Sequence, residues 1–178
     1  MKHFVFTFLV LLLSYNVFSQ QRVGIVEGEI ALGLLGGVGH DSFTTSQSGL
    51  VSAEMRVNLP HAPFSVGLQL AIAKYSRDGW KNYRHEHTTL YTDYNYRPHN
   101  NLNLFAGVGF GYGETVRSAA DHTPENDFDE YRKHFVVSPR IGAELFNVLR
   151  LTFESKIISR EYTYFGATLG ISLGGRCQ

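Results

Sequence analysis

The sequence predicts an all-β protein, an eight-stranded antiparallel up-and-down transmembrane β-barrel that follows a cleaved signal peptide. Three observations predict it. Apolar residues alternate with polar or small ones at a period of two through eight segments. The links between those segments alternate between short ones and longer polar ones, and a brief apolar run opens the chain.

The opening run comes first. Lys2 and His3 precede apolar residues from Phe4 to Leu13, and the run weakens through Tyr15 and Val17 to Phe18. That is the layout of a secretory signal peptide. Val17 and Ser19 are small or short-branched enough to flank a cut before Gln20, with a cut before Gln21 as the near alternative. An uncleaved anchor helix is disfavoured because the run is shorter than the roughly 20 residues a spanning helix needs. The predicted division is therefore 1–19 signal peptide and 20–178 barrel. No later apolar run is long enough for a membrane helix, so any insertion would use strands.

Eight segments then alternate. Within Glu29 to Val38, Ile30, Leu32 and Leu34 face small residues. Val51, Ala53, Met55, Val57 and Leu59 oppose Ser52, Glu54, Arg56 and Asn58, and Phe64, Val66, Leu68, Leu70 and Ile72 oppose Ser65, Gly67, Gln69 and Ala71. From Arg84 to Tyr96, Leu90, Thr92, Tyr94 and Tyr96 oppose His87, Thr89, Tyr91, Asp93 and Asn95. Leu102, Leu104, Ala106, Val108, Phe110 and Tyr112 oppose Asn101, Asn103, Phe105 and the run Gly107, Gly109, Gly111, Gly113. Phe135, Val137, Ile141, Ala143 and Leu145 oppose His134, Ser138, Arg140, Gly142 and Glu144; Pro139 falls on the apolar parity and predicts a bulge. Leu149, Leu151, Phe153 and Ile157 oppose Arg150, Thr152, Glu154 and Lys156, and Phe165, Ala167, Leu169, Ile171 and Leu173 oppose Tyr164, Gly166, Thr168, Gly170 and Ser172. Short links are expected at Pro60 to Pro63, Arg97 to Asn100 and Phe146 to Val148. Longer ones are expected at His40 to Ser48, Ser76 to Tyr83 and Arg117 to Arg132, and Ser159 to Arg160 breaks the trend.

Which parity faces inward follows from size. An eight-stranded barrel has room inside only for its own side chains, and Phe, Leu, Ile and Val crowd one parity while Gly, Ser and Thr fill the other. The apolar parity is expected to meet lipid through Leu68, Leu70, Leu104, Val108, Val137, Ile141, Leu151, Phe153, Leu169 and Ile171. The opposite parity carries both signs of charge, and buried charge must be paired. An ion-pair network of Glu54, Arg56, Asp93, Arg140, Glu144, Arg150, Glu154 and Lys156 is therefore expected to plug the lumen. Phe64, Tyr94 and Tyr96 would mark one rim of the membrane band, and Tyr112, Phe135 and Phe165 the other.

The stretch Tyr162-Thr-Tyr-Phe-Gly-Ala-Thr-Leu-Gly-Ile-Ser-Leu-Gly-Gly-Arg176 resembles the closing strand of small outer-membrane β-barrel proteins of the Bacteroidetes type. It ends in Leu-Gly-Gly-Arg where proteobacterial barrels usually have a terminal aromatic residue. Asn101 to Gly113 is similar to a mid-barrel strand of the same group. The resemblance implies insertion by the barrel assembly machinery and implies no activity.

Other chemistry is weaker. Lys and Arg balance Asp and Glu at 16 each, which leaves no footprint for nucleic acid. Cys177 stands alone, so no intramolecular disulfide can form. The alternate glycines at 107, 109, 111 and 113 lack dinucleotide-loop spacing and fit beside larger lumen side chains. His85 and His87 flank Glu86, and with Ser76 and Asp78 they could form a serine, histidine and acid set of the kind that modifies lipid A. Because both histidines share a parity that Glu86 does not, a polar outer rim is the preferred reading. Asp121, Glu125, Asp127, Asp129 and Glu130 make the longest link acidic without calcium-loop spacing. The histidines at 40, 61, 99, 122 and 134 are scattered without metal-ligand spacing.

The sequence thus points to a non-catalytic integral protein in the outer membrane of a Gram-negative bacterium. No cofactor, metal or nucleic-acid partner is expected. Outer-membrane lipid and lipopolysaccharide would surround it, and its outer loops would supply a structural, envelope or surface-recognition role toward a ligand the sequence does not specify. The alternatives are a lipid A-modifying enzyme, a narrow pore, or a soluble periplasmic ligand-binding barrel.

Overall fold

A computed structural model describes residues 26–37, 48–60, 62–77, 81–99, 101–119, 130–158 and 163–174. The expected signal peptide, most of the acidic link and Cys177 lie outside them, as do His40, His61 and His122. Eight strands form: β1 (Val26–Gly37), β2 (Gly49–Asn58), β3 (Phe64–Arg77), β4 (Lys81–His99), β5 (Leu102–Ala119), β6 (Glu130–Leu145), β7 (Leu149–Lys156) and β8 (Tyr164–Gly174). Each pairs antiparallel with the next, and β1 closes on β8, so the sheet is a barrel in chain order. Closure leaves no free sheet edge along the length where all eight strands pair.

Period two decides the two surfaces. Leu68, Leu70, Leu104, Val108, Ile141, Leu151, Phe153, Leu169 and Ile171 all stand exposed on the outer face, and Val137 on the same face is half-buried. The inner parity carries the buried charges. The large outward side chains reach 71% exposure at Leu34, the reverse of a barrel that keeps its oil inside. Toward the end of the barrel opposite the chain termini, the outward positions turn charged, with Lys74, Arg84, Glu86 and Lys133 exposed. Arg84 and Glu86 form an ion pair there.

Strands β3 to β6 outrun their predicted limits. Ser76 and Arg77 belong to β3 and Lys81 to Tyr83 to β4, where an eight-residue link was expected. Arg97 to His99 extend β4, while Arg117 to Ala119 and Glu130 to Arg132 extend β5 and β6. Polar composition concealed these extensions, because strands that project past an apolar band keep their ladder without keeping their oil. Stacking of Tyr75 on Tyr83, with centroids 5.1 Å apart, holds the β3–β4 extension together.

The expected bulge at Pro139 is corrected. Pro139 pairs in register with Val108 of β5, and the β6–β7 ladder resumes at Val137↔Ile157 in the register set by Arg140↔Glu154. A residue without an N–H interrupts the ladder on the β7 side without shifting it. The register shift falls instead between Tyr96 and His99, around Pro98.

Candidate functional site in the barrel lumen

The half of the lumen nearest the chain termini, running to mid-barrel, is ionic. Arg56 of β2 donates from Nε to Glu27 at 2.6 Å, from Nη1 to Glu29 at 2.9 Å, and from Nη2 to Glu144 at 3.3 Å and Ser172 at 2.9 Å. Arg140 of β6 engages Glu54 through both terminal nitrogens, at 2.5 and 2.8 Å, and Asp93 through Nε and Nη2, at 2.9 and 2.6 Å. Arg150 lies 3.1 Å from Asp93 and 3.3 Å from Glu29, with its guanidinium 3.6 Å above the Phe105 ring. Lys156 donates to Gln69 at 2.7 Å and to the Tyr91 hydroxyl at 2.6 Å, and pairs with Glu154 at 3.3 Å. Tyr91 in turn donates to Glu154 at 3.0 Å.

All eight charged residues singled out in the sequence are buried in the lumen: ion pairs join Glu54, Arg56, Asp93, Arg140, Glu144 and Arg150, and Lys156 with Glu154 meets them through Tyr91, over whose ring Arg140 lies. Planar guanidinium forks suit carboxylates that reach across the lumen, because each can satisfy two acids at once. Sequence reasoning missed Glu27, Glu29, Gln69 and Tyr91 as members. Carrying the β1 alternation back to Glu29 and Glu27 would have found the acids. Tyr91 and Gln69 give no signal until a cation is placed beside them.

Glycines make this packing possible. Gly107, Gly109, Gly111 and Gly113 of β5 stand directly opposite Asp93, Tyr91, Thr89 and His87 of β4. A Cβ on any of them would overlap its partner strand, so the small positions leave space for the large ones.

The other half of the lumen is aromatic and imidazole-rich. Leu35, Leu50, Ala71, Ala73, Tyr75, Tyr83 and Tyr164 form a buried cluster, beside which His85 and His87 are buried and His134 is half-buried. His85 bonds Thr115 Oγ1 through Nδ1 at 2.6 Å and the Tyr75 hydroxyl through Nε2 at 2.9 Å. The His85 and His87 rings stack at 5.8 Å, and the His134 ring lies 5.5 Å from that of His87.

Two sequence expectations are corrected here. His85 and His87 do not form an exposed polar rim; they point into the lumen. His134, expected to stand apart, joins them, because β5 lies between β4 and β6 and the shared level across three strands is invisible in linear spacing. Of the two acids offered for a catalytic set, Glu86 points outward to Arg84 and orients neither histidine. Asp78 and the Ser76 side chain lie outside the described residues.

No protein-family model matches the chain, and no curated protein matches it in sequence. Solved structures match its shape. Neisserial surface protein A superposes with a TM-score of 0.65 at 5% identity, over 86% of this chain and 99% of that one. This is the fold of small outer-membrane barrels. Ail, the attachment invasion locus protein of Yersinia pestis, gives a TM-score of 0.55 at 12% identity, over 89% of this chain and all of that one. The outer membrane enzyme PagL gives 0.50 at 7% identity, over 83% and 99%. At such identities the likeness is one of architecture, and it spans both a surface protein and an enzyme.

Proposed function

We propose that this chain is a non-catalytic integral barrel of a Gram-negative outer membrane, delivered after removal of residues 1–19. The ion pairs of its lumen plug it, and its outer links carry a structural, envelope or surface-recognition role. One observation carries the reading: a closed barrel presents Leu, Ile, Val and Phe to its surroundings and turns its charges inward. Apolar surface on that scale is costly in water and stable in acyl chains. The charged outward positions beyond Ile72 and Tyr112 would lie at the level of lipid headgroups and lipopolysaccharide. The C-terminal stretch ending Leu173-Gly-Gly-Arg176 supports placement among Bacteroidetes-type barrels and recognition by the barrel assembly machinery.

The non-catalytic reading is supported by Glu86, one of the two acids the sequence offered for a serine, histidine and acid set, which turns outward to Arg84 and away from both histidines. The test of the reading is fractionation of producing cells followed by gel migration with and without boiling. A folded membrane barrel stays with the outer membrane and shifts its mobility on boiling. Release with the soluble periplasm, or one unchanging band, would refute the proposal.

A further inference from the structure

The imidazole cluster asks for an explanation that neither anchoring nor plugging supplies. One ring nitrogen from each of His85, His87 and His134 lies within 4.8 Å of the others. His87 is only 3% exposed, yet neither of its ring nitrogens has a hydrogen-bond partner among the described residues. Nε2 of His134 and the hydroxyls of Thr89 and Tyr164 are likewise buried and unpartnered in the same region. Buried polar atoms without partners are rare and costly. Five of them in one place mark a site built around something polar.

The gap has a shape. Gly113 lies beneath it, and a Cβ there would overlap His87 Nδ1 and come within 3.1 Å of His134 Nε2. Two unpartnered nitrogens therefore converge on the space that glycine leaves. One nitrogen on each of His134 and His85 is already held. His134 Nδ1 lies 3.4 Å from Thr115 Oγ1, and His85 Nε2 lies 2.9 Å from the Tyr75 hydroxyl. Histidines that ligate a metal through one nitrogen commonly donate the other to an oxygen, which fixes the tautomer.

We propose that His85, His87 and His134 bind one first-row divalent transition ion of the zinc class, with His85 ligating through Nδ1 and His134 through Nε2. Imidazole nitrogens suit such ions over calcium or magnesium. On taking the ion, His85 Nδ1 releases Thr115, whose hydroxyl then serves His134 alone. Nitrogens on a zinc tetrahedron stand about 3.3 Å apart, given Zn–N bonds of about 2.0 Å. Rotation of the three rings would close the difference from 4.8 Å. A fourth position remains for water. The ion would pin β4 to β6 across β5, at the level where Arg84, Glu86 and Lys133 replace the apolar band outside, and so within reach of the external medium.

The test uses the full untagged chain folded in detergent micelles, stripped with chelator and dialysed against Zn²⁺. Metal content should reach one ion per chain. His87→Gln and His134→Gln should each weaken binding by more than about tenfold, and His122→Ala should leave it unchanged, while every variant keeps its boiling-dependent gel shift. Absence of a tightly held ion, or equal binding by the glutamine variants, would overturn the site. Should a glutamine variant fail to fold, the wild-type protein decides alone: the imidazole nitrogen NMR signals of the three residues must move as Zn²⁺ is added, and stationary signals would overturn it. The gel shift reports the barrel separately, so failure of the site and failure of the membrane reading give different results.

Discussion

The guanidinium of Arg140 lies over the ring of Tyr91, its Cζ 3.6 Å from the centroid, while carboxylates of Glu54 and Asp93 occupy its edges. One side chain thus joins β2, β4 and β6 across the lumen. Removing one partner from a buried ion system leaves the others unpaired, which costs about 3–5 kcal/mol. Arg140→Met should destabilise the barrel by that amount in urea unfolding from lipid vesicles. Arg140→Lys keeps the charge but loses the fork and the flat face, so its loss should be smaller and still clear. The exposed pair of Arg84 and Glu86 gives the comparison, for Arg84→Ala should change stability by less than about 1 kcal/mol. Equal effects at the two arginines would deny the lumen network its weight.

Gly109 makes a second, steric prediction. A Cβ there would come within 2.5 Å of the Tyr91 ring and 2.6 Å of Thr89 Cγ2. Gly109→Val should cost about 1–3 kcal/mol through overpacking. Ala106→Val, on the outer face of the same strand, should stay within about 0.5 kcal/mol. The Gly109 penalty should also shrink when Tyr91 is first cut to Ala, since neighbours that share one space are not additive. An undiminished penalty would mean that the glycine serves the backbone and not the ring.

These two sites also show what a linear reading can and cannot recover. Parity assigned Glu54, Asp93, Arg140 and Arg150 to the inside because a strand's side chains alternate strictly, and that rule needs no partner strand. It also anticipated that the β5 glycines would sit beside large residues. It could not say which ones, because the register that sets Gly109 against Tyr91 passes through the shift between Tyr96 and His99, which alternation does not report. The imidazole cluster was hidden for the same reason. His85 and His134 are remote in sequence and meet only because β4, β5 and β6 extend past the apolar band, where a hydrophobic pattern has nothing to report.

A plugged lumen should not conduct. With Arg56, Arg140 and Arg150 each held by two or more acids, no continuous water path through the ionic half is expected. Recording from planar bilayers that contain the purified protein should show no steady discrete steps. Regular unitary conductance would replace the plug with a narrow pore.

Lipid A chemistry is tested directly. Incubating the protein with lipopolysaccharide and weighing the lipid A by mass spectrometry should show an unaltered acyl pattern. A changed pattern that disappears in His87→Ala would make the chain an enzyme and give the buried histidines a catalytic task in place of a metal.

The sign of one substitution separates membrane from water. Leu104, Ala143, Leu151, Leu169 and Leu32 follow one another across paired strands, forming a row around the outer face. Leu104, Leu151, Leu169 and Leu32 are all exposed. If that row meets acyl chains, Leu104→Arg should destabilise the inserted barrel by about 2–4 kcal/mol, with similar losses at Phe153 and Leu169 if they lie near mid-bilayer. If the row met water, the same arginine would replace exposed oil with charge and leave stability unchanged or improved. Leu104→Ala controls for lost packing, because it removes side-chain bulk without adding charge. Unfolding titrations in vesicles, run on the arginine and alanine variants together, measure the difference. An arginine no worse than alanine would put this outward row in water and overturn the assignment to a membrane.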